Sequence, residues 1–204
     1  MKRFLAVVFL VIIVLGAWYL FFKKNKVVVT ATPGPEPIAV QKHSDEFNKS
    51  IDNMLNSYFS MKDAFVDADT STIKLQALKF ITSVDSINLS VLKSGDSLTY
   101  ISAQQNISDI VANAKPITEE NDLTEMRHDF SMVSENLYPF LKTIGYEGKK
   151  IYWQNCPMAF GDDKPANWLS NSSDINNPYL GKNDPKYKSG MLHCGENMDS
   201  IYLK

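Results

Sequence analysis

The stretch Leu123–Gly145, LTEMRHDFSMVSENLYPFLKTIG, decides the fold. Leu123, Met126, Phe130, Val133, Leu137, Leu141 and Ile144 recur at three- and four-residue steps, so a helix would carry them on one stripe. Gly145 follows as a stop, since glycine takes the left-handed conformation that ends helices. A stripe this long has to be buried against neighbours, and the residues upstream supply them.

From Ser44, the residues Phe47, Ile51, Leu55, Tyr58, Phe59 and Phe65 repeat the helical step. Asp45 and Glu46 occupy the first turn, where acids suit the helix dipole. A second helix is predicted after Asp69-Thr70, with Ile73, Ala77, Phe80, Val84, Ile87 and Val91 on its stripe and Ser94-Gly95-Asp96 ending it. A third carries Ile101, Gln104, Ile107, Val111 and Ala114 and should stop at Pro116, which cannot donate to the helical ladder. Thr118, backed by Glu119 and Glu120, reads as the N-cap of the Leu123 helix. Four helices of similar length on short turns predict a mainly α protein, an antiparallel up-down four-helix bundle. Arg127 and His128 fall beside the stripe and are expected in solvent, as is His43. Nothing in residues 44–145 specifies chemistry.

Downstream of Gly145 the character changes. Residues 146–204 hold both cysteines and Pro157, Pro165, Pro178 and Pro185. Lys150-Ile151-Tyr152-Trp153 and Ser200-Ile201-Tyr202-Leu203 read as short strands within an otherwise irregular segment. Such chain is costly to order unless packing, a disulfide or a metal pins it.

At the other end, Phe4–Phe22 is an uncharged apolar run, FLAVVFLVIIVLGAWYLFF. As a helix it would span roughly 28 Å, close to a bilayer's hydrocarbon core. Phe21-Phe22-Lys23-Lys24 is a poor context for signal cleavage, so residues 1–26 are expected to stay as a single-span membrane anchor. The short head before the span resembles a signal-anchor, which places the long C-terminal body on the exported side of the membrane. Residues 27–43, with Pro33, Gly34, Pro35 and Pro37, form an extended tether, and residues 44–204 form the body.

Charge sharpens the division. The anchor region carries five basic residues and no acid, which leaves 16 basic and 23 acidic residues beyond it, a balance of −7. A body that acidic repels phosphate, so nucleic acid is not the expected partner. Catalytic inventory is equally poor: His-Glu-x-x-His, Gly-x-Ser-x-Gly and the phosphate-binding Gly-rich loop are all missing from the sequence. Asp162-Asp163 and Asp184 read as turn residues. No enzymatic activity is expected.

The informative motifs lie in the tail: Tyr152-Trp153-Gln154-Asn155-Cys156-Pro157-Met158-Ala159, then Asn167-Trp168-Leu169-Ser170, Asn177-Pro178-Tyr179-Leu180-Gly181 and Met191-Leu192-His193-Cys194-Gly195. Together with Arg127-x-x-Phe130-x-x-x-Ser134, this order resembles the bacterial domain-of-unknown-function family three-three-four-seven, over roughly residues 45–198. Members of that family occur as short exported proteins and as tails of periplasmic adaptor subunits of heavy-metal efflux pumps. The resemblance implies a periplasmic setting and a link to copper or silver, with an efflux adaptor or pump as partner. His193 departs from the family pattern, which has a small polar residue there.

Thiolate and thioether sulfur are soft donors that suit Cu(I) or Ag(I). Cys156 and Met158 are two apart, so in extended chain they leave the same face, and Met191 and His193 share that relation. A set of Cys156, Met158, Met191 and either His193 or Cys194 is therefore a candidate metal site. Each methionine taken singly reads equally as packing. The competing reading is a Cys156–Cys194 disulfide, which could contribute roughly 4 kcal/mol by the chain-entropy estimate. The protein is then either a soft-metal-binding periplasmic domain or a disulfide-stapled interaction module.

Overall fold

The computed structural model describes residues 43–202. The anchor and tether expectations therefore lie outside the described residues, among which no helix is long and apolar enough to cross a membrane. The order is α1 (Asp45–Asp67), α2 (Thr70–Asp85), a 3-10 segment (Leu89–Ser94), α3 (Ser97–Glu119), α4 (Leu123–Thr143), β1 (Ile151–Cys156), β2 (Ala166–Ser170) and β3 (Glu196–Ile201). The body is mainly helical, with four helices and a small three-stranded sheet.

Short polar side chains start each helix. Ser44 accepts the Phe47 N–H, Asp69 that of Thr72, Asp96 those of Leu98 and Thr99, and Asp122 those of Thr124 and Glu125. Each satisfies donors that have no partner inside the helix. Ala68 ends α1 in the left-handed conformation at φ 56°, and α2 turns back to pack on α1. Next, α2 packs on α3 and α3 on α4. The opposite helices α1 and α4 meet through rings: Phe130 stacks on Tyr58 at 5.3 Å and lies 4.7 Å from Phe65. Met126, Phe130, Val133, Leu137 and Leu141 are all fully buried, as their spacing predicts.

Several boundaries differ from expectation. The second helix ends at Asp85, because the Asn88 side chain accepts the Ser90 N–H and starts the 3-10 segment instead. Leu92 rather than Val91 then faces the core. The third helix runs past Pro116 to Glu119: Ile117 is fully buried, and the Glu120 N–H closes the last turn on the Pro116 carbonyl at 2.9 Å. Thr118 is no N-cap, since its hydroxyl donates to the Lys115 carbonyl, and Asp122 takes that role.

The sheet order is β2-β1-β3, with both pairings antiparallel. Its first strand extends beyond Trp153 to Cys156, the last lies four residues earlier than Ser200 at its start, and Ala166–Ser170 is a strand the periodicity did not reveal. On the helical side, β2 packs against α4.

Two side chains expected in solvent are not free there. Arg127 is 6% exposed, with Nη1 at 4.0 Å from Asp184, because the segment around residue 184 covers this part of α4. His43 is half-buried, and its Nε2 lies 2.6 Å from the Ile144 carbonyl at the end of α4, where imidazole complements the helix terminus. His128 is exposed as expected, and its ring stacks on Phe160 at 3.7 Å.

Candidate functional site

Cys156 is the last residue of β1, and Cys194 comes two residues before β3. Pairing of Asn155 with Glu196 brings these two points of the chain together. The approach depends on Gly195, at φ 145°: a Cβ there would sit 2.6 Å from the Asn155 carbonyl oxygen and 3.0 Å from the Trp168 ring. No other residue allows β3 to start this close to β1. The outcome is a pair of thiol sulfurs 3.6 Å apart, joining positions 38 residues apart in the chain.

Cys156 is fully buried and Cys194 half-buried. Burial pushes the Cys194 thiol above its ordinary range, and the hydrogen bond and charge interaction with Cys156 push it the same way. No basic group contributes to that shift.

The remaining candidate ligands fall out differently. Met158 and Met191 are partly buried and pack against the core. The Met191 carbonyl accepts the Cys194 N–H at 3.0 Å, so Met191 and Cys194 belong to one turn. His193 is exposed, and its Nδ1 lies 2.7 Å from the Ile175 carbonyl, where it pins another loop. Of the alternatives His193 and Cys194, the fold brings Cys194 to Cys156. Among the described residues no group of three or more His, Cys, Asp or Glu could hold a metal ion.

Beneath the pair lies an aromatic layer whose role the sequence did not reveal. Trp168 and Tyr179 are buried with rings 5.9 Å apart, and the Tyr179 hydroxyl donates to the Asn167 carbonyl. Tyr179 also lies 6.0 Å from Phe130 of α4, which links the layer to the helices. The sole sequence signal was the presence of both residues in the tail motifs. Gln154, fully buried, points Nε2 at the Ser172 carbonyl (3.1 Å) and at Asn197 Oδ1 (2.9 Å), which ties the loop after β2 to β3.

A family model described as "Protein of unknown function (DUF3347)" matches residues 54–149. That stretch, a little under half of the chain, is similar to the DUF3347 family. No curated protein and no solved structure matches the chain. The DUF3347 stretch covers most of α1 and all of α2, α3 and α4, and it stops before β1. The tail motifs, which carry most of the resemblance in the sequence, lie outside the matched residues, and so does the thiol pair. The matched helices and the tail are nonetheless joined at a buried point: the Tyr58 hydroxyl accepts the Leu169 N–H of β2 at 3.1 Å and lies 2.7 Å from the Ser134 hydroxyl of α4.

Proposed function

We propose that Cys156 and Cys194 hold a soft monovalent ion, Cu(I) or Ag(I), with the thioethers of Met158 and Met191 as further donors. The observation that carries this reading is the 3.6 Å separation of two thiols drawn from distant parts of the chain. A d10 ion of this kind accepts two or three soft ligands and needs no carboxylate, which fits a donor set rich in sulfur. Binding would displace the thiol protons, so affinity rises with pH. The body would act without catalysis, held in the periplasm by the Phe4–Phe22 anchor, and would present the ion to an efflux adaptor or pump. That last link rests on the resemblance of the tail motifs.

The same separation supports a second reading, a Cys156–Cys194 disulfide that staples β1 to the start of β3 in an interaction module. One experiment distinguishes the two. The reduced full-length protein, in detergent, competes for Cu(I) against a chromophoric chelator, beside Cys156→Ser, Met158→Leu and the double Cys→Ser variant. The expected order of loss places Cys156→Ser well above Met158→Leu, which keeps size and apolarity. Affinity of the reduced wild type no greater than that of the double variant would remove the metal reading. An intact mass lighter by two hydrogen atoms would then mark the staple.

A further inference from the structure

Asn177 is fully buried, and every polar group it owns is engaged. Its backbone N–H donates to the Leu192 carbonyl at 2.9 Å, and its side-chain Nδ2 donates to the Cys194 carbonyl at 2.8 Å. On its other side, Oδ1 accepts the N–H groups of Tyr179 (2.8 Å) and Leu180 (3.0 Å), and its own carbonyl accepts the Gly181 N–H at 2.9 Å. One side chain thus grips a turn of the tail through its oxygen and the backbone of Cys194 through its nitrogen.

Asparagine suits this place on chemical grounds. The carboxamide offers a donor and an acceptor at one short reach, whereas aspartate offers acceptors alone and glutamine carries the group one carbon farther. The turn held by Oδ1 is itself anchored, since the Tyr179 ring is buried against Trp168 and Phe130. Gly181 is pressed on α1, where an added Cβ would lie 2.4 Å from the Val66 carbonyl oxygen. Asn177 therefore transmits the position of a rigid, helix-anchored turn to the backbone of Cys194. The next residue, Gly195, meets the Asn155 carbonyl beside Cys156. Cys194 is held between these two contacts, and otherwise mainly by its own turn to Met191.

We infer that Asn177 is a positioning residue for the thiol pair: the hydrogen bond from its side-chain amide to the Cys194 carbonyl sets the distance between the two sulfurs and so their ability to act together on one ligand. This rests on the reading of the pair as a working site. The test is Asn177→Asp, which keeps the acceptor for Tyr179 and Leu180 but turns an oxygen toward the Cys194 carbonyl.

Two measurements on the full-length protein are needed. In the first, Cu(I) competition on the reduced protein should show affinity lowered roughly 10- to 100-fold, the range seen when residues that orient a ligand are lost. In the second, the pair equilibrates with a glutathione buffer. There, oxidised glutathione takes two electrons and two protons from the thiols, yielding two reduced glutathione molecules and one Cys156–Cys194 bond. The equilibrium constant reports the effective concentration of one thiol at the other and should fall by a similar factor, while the helical melt stays cooperative. Wild-type values for Asn177→Asp in both measurements would overturn the inference. Failure of the wild type to bind Cu(I) would instead remove the metal reading, and the glutathione equilibrium would still judge Asn177. Should Asn177→Asp not fold, Asn177→Ser keeps one short acceptor without reaching Cys194 and carries the same comparison. Loss of folding in both variants would assign Asn177 a purely structural role and overturn the inference.

Discussion

Tyr58→Phe removes one oxygen from the place where helices and sheet are joined. The Ser134 hydroxyl donates its only proton to the Phe130 carbonyl at 2.9 Å, so it receives the Tyr58 proton at 2.7 Å, and Tyr58 in turn receives the Leu169 N–H at 3.1 Å. The bonds run one way: Leu169 in β2, Tyr58 in α1, Ser134 and Phe130 in α4. Burial keeps the Tyr58 hydroxyl far above its ordinary pKa, so it remains a donor at any working pH. Phenylalanine preserves the ring contacts with Phe130, Phe80 and Phe59 but leaves a buried N–H without its partner. An orphaned buried donor costs about 1–3 kcal/mol. For a domain of this size, about 2 kcal/mol corresponds to a drop in Tm of roughly 4–8 °C. Melting should be followed by circular dichroism for the helices and by tryptophan fluorescence for the sheet, which carries Trp153 and Trp168. Both probes should shift together. Ser134→Ala in the Tyr58→Phe background should cost less than in the wild type, because its partner is already gone. A shift within about 0.3 kcal/mol, or a wild type whose two probes melt separately, would refute the coupling.

Phe130→Ala should cost about 3–5 kcal/mol in denaturant unfolding, since Phe130 is fully buried among Tyr58, Phe65 and Tyr179. Asp129→Ala should change little or stabilise slightly, because burial and the neighbouring Glu125 and Glu120 hold the Asp129 carboxyl above its ordinary pKa. Asp199 accepts from Tyr138 and Lys142, which hold its carboxyl down at about 2, so its contribution is present above the unfolded pKa of about 3.9 and is lost as pH falls toward 2. Half exposure limits it to below about 1 kcal/mol, and Asp199→Asn should lower stability at pH 6 yet equal the wild type near pH 2. Protease added to spheroplasts should digest the body and leave a small membrane-embedded fragment, and a fully protected body would reverse the proposed orientation.

The helices were legible where apolar residues repeat. In α4 the stripe from Met126 to Leu141 is buried as read, because periodicity reports directly which face meets the core. Periodicity fails where burial comes from distant chain. Arg127 lies off the stripe and is buried all the same, because a segment from residue 184 closes over it. The Asn88 break was hidden because a single side chain bonding its local backbone leaves the apolar pattern intact. Ala166–Ser170 escaped notice because it is buried at four of five positions, so no alternation marks it as a strand. Counting and compartment made Cys156 and Cys194 a pair, but the choice of Cys194 over His193 depended on where one exposed ring found a carbonyl. Asn177 and Gly195 were visible as motif letters without roles, since the Asn177 side chain bonds the backbone of distant chain and Gly195 serves through its own backbone, neither of which spacing encodes.

The strand order has a consequence in time. β1 is central, yet its two neighbours follow it in the chain, and β3 is the more distant of them. During synthesis, β1 and β2 can form a hairpin early, while one edge of β1 stays open until β3 arrives. Over that interval Cys156 has no intramolecular counterpart, because Cys194 emerges 38 residues later. Closure of so long a loop is slow relative to a local hairpin. The nascent chain therefore passes through a stage with a lone thiol and an unpaired strand edge, the stage at which mixed disulfides and strand exchange between chains compete with the native arrangement.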